Sequence, residues 1–363
     1  MAKTMSSESI GARIVEWYSC IISRSVNQAI LHREKAKQLL ETTKCDDKIV
    51  AYFQLVDFRH QMMMKLNSKN ELANLKVEKS FEPSIDDMLK YLYYFISGQN
   101  EYINERYRSA IKLFRKAERL LEYVQDDAEE AEFYQYTGLV YYRLNQYLVA
   151  SSYMEQAETI FNRLGYIERA INTRLILGLI YSELGNYEKG DQIIQEALAS
   201  SHSFPLTNAL ALRSLGLSKQ RQQKFNEAEK HFSQALKIPE HKNSQAGAKT
   251  RYNLANVLFR QEKHGSATKH LQMAEAGAKY YQNFEYTNRC LFSRGLYCDE
   301  DFLVVDQAIN NLQENAMFFE TFELAEEAAY FAEKAGNTEM ALKYMKSASQ
   351  ACLKFNHLGD DQK

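Results

Sequence analysis

The chain has 363 residues, 45 Lys and Arg against 47 Asp and Glu, a formal charge of −2, and 45% hydrophobic residues. That is globular rather than disordered composition, and a near-neutral chain carries no overall electrostatic footprint for nucleic acid. Fourteen Gly and three Pro are too few for turn-rich β or doubly wound α/β architectures, so the expected class is all-α.

Arg13, Glu16 and Arg24 interrupt the first apolar stretches, which argues against a signal peptide. No run of about 18 apolar residues occurs, so no membrane span is expected and the expected location is cytoplasmic. Five scattered cysteines include no CxxC pair, and neither zinc nor a redox dithiol is signalled. Phosphate-cradling, zinc-protease and nucleophile-elbow motifs are absent, and no cofactor or metal is expected.

In chain order, residues 1–65 read as three amphipathic helices at about 9–23, 25–43 and 47–65. Asp46 and Asp47 give the third a carboxylate start. Residues 66–84 are polar, contain Pro83 and read as a linker. Helical repeats are expected over 85–363. Small residues recur at Gly98, Gly138, Gly178, Gly216 and Ala255, with spacings of 40, 40, 38 and 39. Twelve residues after each stands Ala110, Ala150, Gly190, Ala228 or Ala267, and four further on Phe114, Met154, Ile194, Phe232 or Leu271.

Small residues at that spacing let paired helices approach, while large apolar ones fill the gap to the next pair. The pattern is the tetratricopeptide repeat stretched by longer helices or loops. A sixth repeat is expected around Ala308 and a seventh, capping one at Gly336 and Ala341. The architecture expected is therefore a three-helix bundle followed by a right-handed superhelix of about seven repeats. A boundary near residue 66 implies that the repeats survive removal of the bundle.

Three motifs add a resemblance: Glu16-Trp17-Tyr18, Phe58-Arg59-His60-Gln61-Met62, and the acidic helix entry running from Asp126-Asp127 to Phe133. Together with the repeats, over essentially the whole chain, they resemble the Rap family of response-regulator aspartate phosphatases. The resemblance implies a quorum-sensing regulator acting on sporulation or competence. Its N-terminal bundle would bind a response regulator, and a short signalling peptide in the repeat groove would switch that binding off. The resemblance also implies a water-positioning Gln eleven residues before the Phe of the FRH motif. Here that position is Asp47, which offers no N–H donor and repels a phosphoryl group. Whether the chain is an enzyme stays open. The surface expected to bind the regulator is Asp46, Asp47, Val50 and Phe58. Gln54 is read as facing elsewhere, and His60 as an interhelical hydrogen-bonding residue.

Anchoring each repeat on its small residue places Tyr142, Arg143, Arg213, Arg221, Lys249, Asn253, Asn256 and Arg260 on the groove face, as the expected peptide site. Glu183 is the main opposing charge in that reading, so an acidic peptide is expected. Two other functions stay open: a scaffold binding a partner's C-terminal tail, and a peptide receptor acting on a DNA-binding partner. Direct binding to nucleic acid or membrane is not expected. Against a helix-turn-helix stands Gly11 as the sole glycine of the first 97 residues.

Overall fold

The computed structural model describes residues 7–43, 45–65 and 86–356, so the expected linker at 66–84 lies outside the described residues. Three helices open the chain: α1 (Ser7–Ile22), α2 (Val26–Thr42) and α3 (Asp47–Lys65). Their positions match the amphipathic pattern within a few residues. Seven helix pairs follow among the described residues. They are α4 (Asp87–Ile103) with α5 (Tyr107–Glu118), α6 (Asp127–Arg143) with α7 (Tyr147–Arg163), and α8 (Ile167–Glu183) with α9 (Tyr187–Ser200). Next come α10 (Pro205–Arg221) with α11 (Phe225–Ala235), and, after the one-turn α12 (Pro239–Lys242), α13 (Gln245–Arg260) with α14 (His264–Tyr280). The last two are α15 (Phe284–Tyr297) with α16 (Phe302–Glu314) and α17 (Phe318–Lys334) with α18 (Thr338–Asn356). The stretched period comes from helices of up to 17 residues in most pairs, and from the inserted α12.

The small-residue anchors do what their spacing requires. A Cβ added at Gly178 would meet Ile194 at 2.4 Å, and one at Gly216 would meet Phe232 at 2.5 Å. These glycines let the partner helix lie against bare backbone. The seventh repeat is anchored differently from the sequence expectation. Gly336 has φ +75° and makes the turn between α17 and α18, while buried Ala329, twelve residues before Ala341, takes the anchor position. Ala308 is buried in α16, as expected.

Packing divides the chain after Thr173, inside α8. In the first unit, Phe95, Phe114 and Phe133 from α4, α5 and α6 form an aromatic core with centroid separations of 5.5–6.2 Å. In the second, one core joins α11, α13 and α14, and another joins α15 to α18. Among the described residues no helix is long and apolar enough to cross a membrane.

Candidate functional site

The three sequence motifs meet in one buried cluster of the first unit. Trp17 of α1 is fully buried, and its indole N–H donates to His60 Nδ1 of α3 at 3.1 Å. Tyr18 donates to Glu129 Oε1 of α6 at 3.0 Å. Arg59 Nη2 of α3 reaches Glu132 Oε1 at 2.9 Å, and Arg169 Nη1 of α8 reaches the same oxygen at 3.1 Å. Arg169 also donates to the Ile22 carbonyl at 2.6 Å and to Gln135 Oε1 at 2.7 Å. Asp126 caps α6 by accepting from the backbone N–H groups of Ala128 and Glu129.

The electrostatics of the cluster are asymmetric. Burial and the neighbouring Glu132 push the Glu129 carboxyl up to about 8. Burial would lift Glu132 too, but Arg59 and Arg169 outweigh it and hold that carboxyl below the ordinary range. At neutral pH a protonated Glu129 therefore lies beside an ionised Glu132 clamped by two guanidiniums. Burial lowers the His60 ring, which fits its role as a neutral interhelical acceptor rather than a general base. These motif residues hold helices together and are closed to substrate. Sequence reading marked them as motifs without seeing that they touch.

The outer face of α3 is what remains open. Asp46 caps the helix, accepting from the Ile49 N–H at 2.8 Å, and both Asp46 and Asp47 are exposed. Val50 is half-buried. Phe58 is 8% exposed and belongs to the core. It also lies about 16 Å along the helix from Asp47. The four residues expected to form one surface are thus split between a solvated helix start and a buried aromatic. Gln54 faces the same way as Asp47, against the sequence expectation. Seven residues return a helix to nearly the same face, and Gln54 is exposed.

The residues expected to grip a peptide divide between the two units. Tyr142 and Arg143 end α6 in the first, where the Arg143 guanidinium lies 4.9 Å over the Tyr107 ring. The other six lie in the second unit, on α10 and α13. Arg221 pairs with Glu183 and lies 3.9 Å from Glu323 of α17. Arg260 Nη2 lies 3.2 Å from Glu327 Oε2, and Asn256 donates to Glu327 Oε1 at 2.7 Å. Lys249 Nζ lies 4.8 Å over the Tyr286 ring. Arg213 is half-buried, and its Nε and the Asn253 Nδ2 are buried without a hydrogen-bond partner. Glu323 and Glu327 were missing from the sequence reading, which counted Glu183 as the main opposing charge. The face is charge-balanced rather than cationic.

Comparison with known proteins fixes the relationship. Residues 4–65 match the family model for response regulator aspartate phosphatase H, N terminal, and residues 171–201 and 206–279 match tetratricopeptide repeat models. Response regulator aspartate phosphatase I of Bacillus subtilis is 26% identical over 94% of this chain and 90% of its own. The chain belongs to the Rap family. A Rap protein crystallised with Competence and Sporulation Factor superposes with a TM-score of 0.89 at 22% identity, covering 97% of this chain and 100% of that one. This likeness concerns the fold. A Rhodococcus hoagii protein named Type II methyltransferase M.CeqI is 38% identical over 100% of this chain and 71% of its own length. The matched stretch is helical here across its described elements.

Within this Rap chain the exposed start of α3 presents Asp47 where the resemblance implies an amide. A carboxylate there can accept from a water but cannot donate to a phosphoryl oxygen. Among the described residues no group of three His, Cys, Asp or Glu side chains gathers as a metal site would require.

Proposed function

We propose that this Rap-family chain is a cytoplasmic quorum-sensing regulator. Its helices α1–α3 bind a response regulator through the exposed start of α3, around Asp46, Asp47 and Val50. A short signalling peptide on the first helices of the second unit's pairs switches that binding off. Arg213, Arg221, Lys249, Asn253, Asn256 and Arg260 would contact it there. Sequestration is the favoured mode, because Asp47 leaves the phosphatase position without its donor.

One observation carries the peptide reading. The buried Asn253 amide has a donor without an acceptor, as has Arg213 Nε, while Asn256 and Arg260 are held by Glu327. Buried donors are nearly always satisfied, and the backbone carbonyl of an extended peptide is the acceptor such an amide fits. The Rap protein solved with Competence and Sporulation Factor supports the same reading by analogy of fold. The test is a pulldown from the native cytoplasm with the eluate probed for receiver-domain proteins, repeated with synthetic peptide added. Recovery of a response regulator that peptide releases supports the proposal. Recovery of no receiver protein sinks it.

A further inference from the structure

Glu129 and Glu132 lie three residues apart on one face of α6, and both are closed to solvent, at 2% and 1% exposed. Their partners differ in kind. Both guanidiniums of the cluster, Arg59 of α3 and Arg169 of α8, go to Glu132 Oε1. Glu129 meets hydroxyls instead: its Oε1 accepts from Tyr18 of α1, and Tyr91 of α4 faces it. Glu129 Oε2 is buried without a hydrogen-bond partner. An ionised oxygen there would be a bare charge out of water, whereas a protonated one is neutral. Arg59 also favours the ionised form of Glu129, and burial together with Glu132 outweighs it. The other titratable groups around the pair are Tyr52 of α3, Asp126 at the cap of α6, and Arg24 in the turn after α1, which acts on Glu132 and Arg169.

This polar layer lies where the first three helices meet the repeats. On one side, Trp17 packs against Phe53 and His60 within α1–α3, with ring centroids 5.4 and 5.6 Å apart. On the other, Phe95, Phe114 and Phe133 form the aromatic core of α4–α6. Between the two stand Tyr18 with Glu129, Arg59 with Glu132, Arg169 with the Ile22 carbonyl, and the Arg59 guanidinium 5.7 Å over the Tyr136 ring. Opening this layer wets charges that burial penalises, while each aromatic core keeps its own contacts. Separation along it is therefore the least costly way to hydrate Glu129.

We infer that this joint is a proton-operated latch. Glu129 holds one proton while α1 and α3 are closed on α6 and gives it to solvent when they open, so a rise in pH loosens those two helices and leaves the helix pairs folded. Closed, the Glu129 carboxyl stands at about 8; opened to water, it returns toward 4.5. Opening thus releases a proton, is favoured as pH rises between those values, and levels off above the upper one. From pH 6 to pH 8 the opening equilibrium should rise roughly fiftyfold.

Hydrogen exchange on the full-length protein tests this, with each rate divided by that of an unstructured amide at the same pH. Protection of the α1 and α3 amides should fall at least about tenfold between pH 6 and pH 8, while protection in α13 and α14 changes by less than about threefold. Glu129→Gln, which keeps an acceptor for Tyr18 and cannot ionise, should flatten the α1 and α3 profile. Tyr18→Phe removes a donor that favours the ionised carboxylate, so in that variant the fall should continue beyond pH 8 before levelling. A flat α1 and α3 profile in the unaltered protein overturns the inference, whichever variants fold. So does an equal fall in α13 and α14, which would mean global unfolding, or a pH dependence that Glu129→Gln leaves intact.

Discussion

Glu129 and Asp47 show how far chemistry could be read one position at a time. Asp47 was legible: the spacing from Phe58 identified it, and its exposure at the start of α3 agrees. Replacing it with Gln restores a donor near an attacking water, and one such donor contributes roughly 10²–10³ in rate. We expect Asp47→Gln to raise receiver dephosphorylation by that order, read as loss of label from a phosphorylated receiver. An unchanged rate, or robust activity in Asp47→Ala, would move the role elsewhere, with Gln54 the first residue to substitute. Glu129 was not legible, because its ionisation depends on Glu132, Tyr18 and burial together. Its carboxyl is raised from an unfolded value near 4.5 to about 8, so the folded state keeps a proton that the unfolded chain releases. The stability this confers is full below about 4.5 and falls as pH rises through the folded value. Glu129→Gln keeps an acceptor for the Tyr18 hydroxyl and removes the ionisation. In urea titrations, the unaltered protein should lose roughly 2 kcal/mol more than the variant between pH 6 and pH 8. Parallel pH dependences would contradict the assignment.

At the scale of elements, helix positions and the small-residue contacts were readable, and turns were not. Arg24 has φ 59° at the turn between α1 and α2, so a chain without glycine there still turns tightly. The scarcity of glycine in the first 97 residues therefore said nothing against tight interhelical turns. Glu105, Asn145, Gln223 and Gln282 take the same left-handed conformation at later helix ends. Paired helices fix the direction of the chain at each turn, and packing outweighs the modest local cost of a side chain there. The entry to α13 is stricter. A Cβ on Gly247 would lie 2.1 Å from the His241 carbonyl oxygen and 2.9 Å from that of Lys242. Both are backbone atoms of α12, and His241 is itself held by Thr250 at 2.8 Å. Gly247→Ala should cost about 1–3 kcal/mol by denaturant titration. Gly265→Ala, at the start of α14 with nothing within 4 Å, should leave stability unchanged or slightly raised. Equal behaviour of the two variants would refute the contact argument.

For the whole molecule, the first three helices are tied into the first unit more tightly than a boundary near residue 66 implied. A chain beginning at residue 86 loses Arg59 and the Ile22 carbonyl, leaving buried Glu132 with Arg169 alone. Removing one partner of a buried ion pair costs about 3–5 kcal/mol. We expect hydrogen exchange of the α6 amides to quicken in the truncated chain, and Glu132→Gln to recover part of the protection there. Full α6 protection in the truncated chain would restore the simpler boundary. The sequence by itself determined the all-helical class, the number of pairs and the family. The first two follow from spacings within a helix or between neighbouring helices, which recur along the chain, and the family from three short motifs set beside them. Only the tertiary structure decided that Arg59 meets Glu132 across 73 residues, and that Asn256 meets Glu327 across 71. A helical period says which face of one helix is apolar. Which charges oppose each other depends on the rotation that accumulates from pair to pair, and no single helix encodes it.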